Sequence, residues 1–334
     1  NGARSAPAAD AVKTEVLPAG GRETVTRAVD LLRAGEVVGL PTETVYGLAA
    51  DALSEKAVLK IFQAKSRPRF DPLIVHLPNS AWVNRVAIID STVTDQFNEL
   101  HKRFWPGPLT FIFPRQPIIP DVVTAGLETV AIRLSAHPVF REIVAEFGSP
   151  LAAPSANRFG RISPTAAGHV LEELDGLVPL IVDAGATTHG LESTIVAVRN
   201  GRIEILRRGP ITQEQLAEFG NAVVVGPTNH PEAPGQLPNH YAPRTPLILV
   251  DNAATFNAGA NQRCGLLGWR TKHDKRFSSV RCLSERQNLV EAATNHFAFL
   301  RELDACDLDL IVAERLPEEG LGGAINDRLS RAAN

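Results

Sequence analysis

Apolar positions recur at helical spacing in several stretches of this chain. Over 22–34, Val25, Ala28, Val29 and Leu32 follow the i, i+3, i+4, i+7 stripe of a helix with one buried face, and Gly35 supplies a stop. A second stripe, Val58, Ile61 and Phe62, begins after Ser54, a residue suited to capping the first turn, and its next member is Lys65. The pattern therefore aims a cation at the core from the last turn of a helix. Further helices are expected over 92–103, from Pro138 to near Gly148, from Ser163-Pro164 to about Leu174, around Leu289 to Leu300, and near 324–331. Short apolar runs predict strands at 37–40, 73–77, 109–113, 129–134, 151–153 and 180–182. In 129–134, Val130, Ile132 and Leu134 share one face while Ala131 and Arg133 share the other. Two more runs, 194–198 and 202–206, flank Asn200-Gly201, a two-residue hairpin turn.

The texture changes at GPTNHPEAPGQLPNHYAPRTP, residues 226–246, where six prolines and no periodicity mark a semi-rigid linker. Beyond it, strands at 247–250, 265–268 and 308–313 alternate with helices, the pattern of a small parallel α/β domain. The expected organisation is a disordered tail over 1–20, a catalytic domain over 21–225, the linker over 226–246 and a C-terminal α/β domain over 247–334. No run of about 18 apolar residues occurs, so no membrane span is expected. The stretch NGARSAPAAD lacks the apolar segment of a secretory signal. A net charge of −3 argues against a surface built for bulk nucleic-acid binding, so any basic site must be local. Cys264, Cys282 and Cys306 lie far apart and fit neither a disulfide framework nor a zinc site. They suit a reducing compartment, which points to the cytosol.

Nucleophile-elbow, Walker, zinc and dinucleotide signatures are absent from the sequence. Gly320-Leu321-Gly322-Gly323 suits a helix-entry turn better than a phosphate cradle. The stronger case is a constellation. Lys65 alone would complement a helix C-terminus. With Arg67 and Arg69 beside it, the like charges repel unless an anion collects them. Arg133 is either solvated or, within so apolar a stretch, in need of a partner. His76, inside the 73–77 run, is either a satisfied core histidine or a substrate ligand. Ser155 and Asn157, two apart in a loop after a short strand, either make ordinary turn contacts or face one pocket. Together these groups suit a polyanion: nucleotide phosphates, with electrostatic stabilisation of a reacting phosphorus centre.

The stretches LPTETVYGLAAD (40–51), AKSRPRFDPLIVHL (64–77), WPGPLT (105–110), VAIRLSAHP (130–138), APSANRFGRISPT (153–165) and GLESTIV (190–196) resemble the YrdC-like threonylcarbamoyl-AMP synthases, and the proline-rich linker with His240-Tyr241-Ala242-Pro243 resembles their long two-domain form. The resemblance spans about 20–332. It implies a twisted, mixed α/β sheet around a large basic cavity, a Rossmann-like second domain and a linker over the cavity. It implies synthesis of L-threonylcarbamoyl-AMP from L-threonine, bicarbonate and ATP with Mg2+, with release of pyrophosphate. A transferase complex would then pass the group to adenosine 37 of tRNAs reading codons that start with A, so tRNA is met only indirectly. Carried over by motif, Lys65, Arg67, Ser155 and Asn157 would hold the ATP phosphates and the carbamate. Thr42, His76, Arg133 and Ser193 would surround threonine, while Thr129, Ser163 and Arg207 would lie near the nucleotide. Tyr241 would close the site, and Arg69 is a further candidate for the phosphates. The chain departs from the family at Ala233-Pro234-Gly235-Gln236, where a Ser-Pro-Gly-Met is usual. Two other readings stand beside this one: an RNA-binding module using the basic cavity, and the carbamoyl-adenylate-forming domain of hydrogenase maturation.

Overall fold

A computed structural model describes residues 13–226, 232–234, 240–259 and 261–333. Gly235 and Gln236, like residues 1–12, lie outside them. Among the described residues, eleven strands form one mixed sheet. Their spatial order is Glu15–Pro18, Leu180–Asp183, Val38–Leu40, Gly47–Asp51, Leu151–Ala152, Ile74–His76, Thr129–Arg133, Leu109–Pro114, Thr194–Arg199, Arg202–Arg207 and Asn221–Val224. Both faces are covered. Helices Arg22–Arg33 and Pro138–Phe147 pack on one side, with Val25, Val29, Leu32, Phe140 and Ile143 against Leu40, Ala49 and Leu180. Helices Glu55–Lys65 and Ser91–Phe104 supply Val58, Ile61, Phe97 and Leu100 to the larger core on the other side.

Strand Gly47–Asp51 shows why it escapes a period-two search. Leu48 and Ala50 join one core and Ala49 the other, so no polar face remains to alternate. The predicted hairpin forms as expected: Arg199 pairs with Arg202, and Asn200 (φ 52°) and Gly201 (φ 70°) both take the left-handed conformation. Two expectations are corrected. Residues 15–18 of the proposed tail are an edge strand, parallel to Leu180–Asp183, with Thr14 Oγ1 donating to Val178 O at 2.7 Å. Only one large apolar side chain of this strand, Leu17, packs on the core, too weak a signal to read. The helix expected from Ser163 starts instead at Ala167. Ser163 is unavailable as its cap because its hydroxyl donates to buried Glu192 at 2.5 Å.

The second domain is a four-stranded parallel sheet in the order Leu247–Val250, Leu310–Glu314, Cys264–Gly268, Ser279–Cys282. Helices Leu289–Asp304 and Leu321–Ala332 pack together over it. Open α/β sheets take ligands at the carboxyl ends of their strands. Here that place is filled by Glu314, whose fully buried carboxylate accepts the N–H groups of Ala253, Trp269, Arg270 and Thr271 at 2.7–2.9 Å.

The two domains meet closely. Arg301 donates to Ile162 O at 2.5 Å and to Glu173 at 3.3 Å, and Thr294 donates to Thr188 O at 3.0 Å. Gly190 allows a close backbone approach: a Cβ there would stand 2.4 Å from Ala293 O, and its φ of +66° already favours glycine.

Helix Leu289–Asp304 also carries a buried imidazole. His296 is fully buried, neither ring nitrogen has a partner, and burial first, then Arg328, holds its pKa down to about 3. Such a histidine stays neutral when folded but protonates below about 6.5 when unfolded, so stability is present above that pH and is lost as pH falls. In His296→Leu, the stability lost between pH 6.5 and 5, read by urea denaturation, is expected to shrink by about 2 kcal/mol. An unchanged pH dependence would contradict the buried neutral state.

Candidate active site

Strands Ile74–His76 and Thr129–Arg133 run parallel and in register, which sets His76 beside Arg133 at their carboxyl ends. The segments that follow neighbouring strands converge on the same place: 41–46 after Val38–Leu40, 153–157 after Leu151–Ala152, and Arg207 at the end of Arg202–Arg207. Residues of the linker close the space from above. The result is a narrow pocket, partly open to solvent, at the place where these segments meet. Its walls bring together Thr42, Arg67, His76, Arg133, Ser155, Ser193, Arg207 and Tyr241 among the residues singled out from the sequence.

The other candidates sit elsewhere. Lys65 is 1% exposed and stands behind the wall: its ammonium donates to Ser155 O at 2.5 Å and to Asn157 O. Burial, followed by the nearby charge of Arg67, pushes its pKa well below the ordinary lysine value. Lys65 thus braces the loop that presents Ser155. Asn157 turns inward as well, donating to Arg158 O (2.7 Å) and Arg161 O (2.9 Å), while its Oδ1 has no partner. Ser163 is held by Glu192. Arg69 is exposed beside an equally exposed Phe70. Thr129 begins its strand opposite Pro114, at the far end from Arg133.

Each buried cation has a stated partner. Arg67 pairs with Asp71 at 2.8 Å and donates to Pro72 O at 2.9 Å. Burial raises the Asp71 pKa, opposed by Arg67, Lys65 and Arg207, and neither Asp71 oxygen makes a well-aligned hydrogen bond. Arg133 donates to Thr44 Oγ1 at 3.0 Å and to Gly107 O at 3.2 Å, and stands 2.7 Å from Glu43. That last contact is a buried ion pair. Arg207 grips Ser193 twice, Nη2 to Oγ and Nε to O, both at 3.0 Å, and reaches Pro234 O of the linker at 3.3 Å. Ser193 Oγ also meets Thr110 Oγ1 at 2.8 Å. Thr42 folds its own turn, its hydroxyl donating to Val45 O at 2.6 Å.

Three wall residues, His76, His240 and Tyr241, are held neutral by burial. His76 is drawn down to about 3 by burial and then by Arg133, and its Nδ1 has no partner. Tyr241 is pushed up to about 12 by burial and then by Glu192. It comes from the linker, sits at 1% exposure with φ 66°, and packs edge-to-face with His240 at 4.2 Å and tilted against Phe297 at 5.6 Å. The next residue pins it down, as Ala242 N–H donates to Gly160 O at 2.8 Å.

Sequence reasoning passed over Glu43, Glu192 and His240, all of which are buried around the pocket. The first two lie inside apolar motifs, so the argument that flagged Arg133 applied to them equally. Three buried arginines on the wall, a lysine behind it, a neutral imidazole and a linker lid define a site for small, phosphate-bearing anions.

Comparison with known proteins agrees with that class. The family model described as telomere recombination matches residues 30–209, and the threonylcarbamoyl-AMP synthase C-terminal domain matches 211–334. The threonylcarbamoyl-AMP synthase of Bacillus subtilis is 39% identical, covering 92% of each chain. That of Pyrococcus abyssi is 35% identical over 92% of this chain and 93% of the relative. A crystal structure of P. abyssi Sua5 complexed with L-threonine superposes with a TM-score of 0.88 at 34% identity, covering 96% of this chain and 97% of that one. This chain belongs to the threonylcarbamoyl-AMP synthase family, in its two-domain form.

The Glu43–Arg133 pair generates a stability prediction. Burial alone would raise the Glu43 pKa, but Arg133, the Ser135 hydroxyl (2.5 Å) and Ala136 N–H (3.1 Å) bring it to about 2. A depressed carboxylate contributes stability above its unfolded value near 4.5 and loses it as pH falls towards 2. Glu43→Gln is expected to lower unfolding free energy at pH 7 by about 3 kcal/mol and to flatten the acid limb between those values, read by urea denaturation. A loss under about 0.5 kcal/mol would contradict the pairing.

Proposed function

We propose that this chain synthesises L-threonylcarbamoyl-AMP from L-threonine, bicarbonate and ATP, releasing pyrophosphate. The observation that carries the reading is the division of one lidded pocket into two poles. At one pole Arg133 stands beside neutral His76, with Ser193 on the same wall. At the other, Arg67 and Ser155 line the wall, and Lys65 holds the Ser155 carbonyl from behind. A carboxylate suits the first pole and a triphosphate the second. The names of the relatives favour this reading over an RNA-binding module or a carbamoyl-adenylate-forming domain.

In the proposed reaction the threonine amine adds to the carbon of bicarbonate-derived CO2 and loses a proton, giving a carbamate. A carbamate oxygen attacks the α-phosphorus of ATP, the bond to the β-phosphate oxygen breaks, and pyrophosphate leaves with the electron pair. The growing negative charge falls to Arg67 and, once an anion restores its proton affinity, to Lys65. Arg133 fixes the threonine carboxylate. Thr42, His76 and Ser193 surround the rest of the amino acid, His76 as a neutral ring that adds no charge of its own. Arg207, Ser163, Asn157, Thr129 and Arg69 are assigned to the nucleotide side, the last two requiring movement of the segments that carry them. His240 and Tyr241 shut out water, which would hydrolyse the mixed anhydride.

Among the described residues there is no group of three or more acidic, histidine or cysteine side chains placed to hold a metal. This donor set fits a Mg2+ carried on the ATP phosphates and water, as this ion prefers. When bound it would neutralise phosphate charge. The product is a reactive adenylate, so the next step belongs to a transferase complex acting on adenosine 37 of tRNA. No helix among the described residues is long and apolar enough to cross a membrane, and we assign the reaction to the cytosol.

The test is pyrophosphate release from ATP, Mg2+ and bicarbonate, with and without L-threonine. Release that depends on threonine is expected. Turnover indifferent to threonine, or none at all, would overturn the assignment.

A further inference from the structure

The C-terminal domain reaches the pocket through one side chain. Arg328, on helix Leu321–Ala332, is fully buried although it is the largest side chain withdrawn from water in the described structure. Its Nε donates to Glu192 at 3.1 Å, its Nη1 donates to Asp327 at 3.2 Å, and its guanidinium lies 5.5 Å from the centroid of the Tyr241 ring. Glu192 and Tyr241 are both wall residues of the pocket. The other oxygen of Glu192 accepts the Ser163 hydroxyl at 2.5 Å, and the next residue in the chain is Ser193. A single cation of the second domain therefore touches the substrate-side loop and the lid at once.

Both domains hold the lid through an arginine. Its upstream part is held by Arg207 of the first domain through Pro234 O at 3.3 Å. Its downstream part, at Tyr241, rests on Arg328. A guanidinium is suited to this double contact because it offers a planar face to an aromatic ring and directed N–H groups to a carboxylate, whereas an ammonium offers neither fork nor plane. Removing it would leave Glu192 buried without its counter-ion and Tyr241 without support on one side.

We propose that Arg328 is a positioning residue: it couples the C-terminal domain to closure of the lid, by holding Glu192 and Tyr241 in the arrangement that completes the pocket. This inference rests on the adenylate-forming reading for its kinetic readout, but its structural readout is independent. Arg328 touches no reacting atom. Its effect is carried by the fraction of complexes in which the lid is shut when chemistry occurs, so it enters kcat more than the initial binding of substrate.

The experiment uses the full chain and compares wild type, Arg328→Met and Arg328→Lys. The first readout is amide hydrogen exchange at Ala242, whose N–H is bonded to Gly160 O at 2.8 Å and reports lid opening without any substrate. Exchange there is expected to accelerate about tenfold in Arg328→Met, while the amides in the middle of helix Leu289–Asp304 keep their wild-type rates. The second readout is threonine-dependent pyrophosphate release. In Arg328→Met, kcat is expected to fall about tenfold or more with KM for L-threonine and ATP within about threefold, and Arg328→Lys is expected to recover part of the loss. Wild-type exchange at Ala242 in Arg328→Met would overturn the inference, whatever the reaction proves to be. So would wild-type kcat, or a loss of activity that merely follows the fraction of unfolded protein in both variants. Failure of wild type itself to release pyrophosphate would overturn the adenylate reading and leave the exchange result to decide the inference.

Discussion

The constraint on which this structure depends is the withdrawal of five cations from water around one cavity. Lys65, Arg67, Arg133, Arg207 and Arg328 are all 7% exposed or less. Each would cost several kcal/mol if buried alone. The fold meets that demand from fixed sources: backbone carbonyls for Lys65, Asp71 for Arg67, Glu43 for Arg133, Ser193 for Arg207, and Glu192 with Asp327 for Arg328. An entering polyanion therefore meets arginines that are already desolvated and oriented.

The same constraint ties the two domains together. Glu192 stands between Ser163 of the first domain and Arg328 of the second. Gly190, two residues earlier, is small enough to let helix Leu289–Asp304 approach the backbone of the same loop. At the carboxyl end of its strand Leu310–Glu314 the second domain buries the Glu314 carboxylate. Through Arg328 it also reaches the wall and lid of the first domain's pocket. The linker is thus a segment gripped from both sides rather than a tether between independent bodies.

Much of this was legible in the residues. The stripe of Val58, Ile61 and Phe62 placed Lys65 inward, and it is buried. The Asn200-Gly201 turn, the alternation of Thr129–Arg133 and the parallel second sheet followed from local rules that tertiary packing did not override. What escaped has common causes. Gly47–Asp51 is buried on both faces and shows no period, while Glu15–Pro18 has too few apolar positions to show one. Arg328 lies on an amphipathic helix, where spacing cannot distinguish a snorkelling arginine from one sealed beneath another domain. The Lys65 ammonium is turned to the carbonyls of the loop carrying Ser155, a local choice of hydrogen bonds that no motif reveals.

The account stands or falls on the chemical identity of what forms inside the lidded pocket. The most direct measurement is mass spectrometry of the product made from ATP, L-threonine and carbon-13 bicarbonate. The account predicts an adenylate containing threonine and one labelled carbon. An adenylate that lacks the label, or one that forms without threonine, would contradict it.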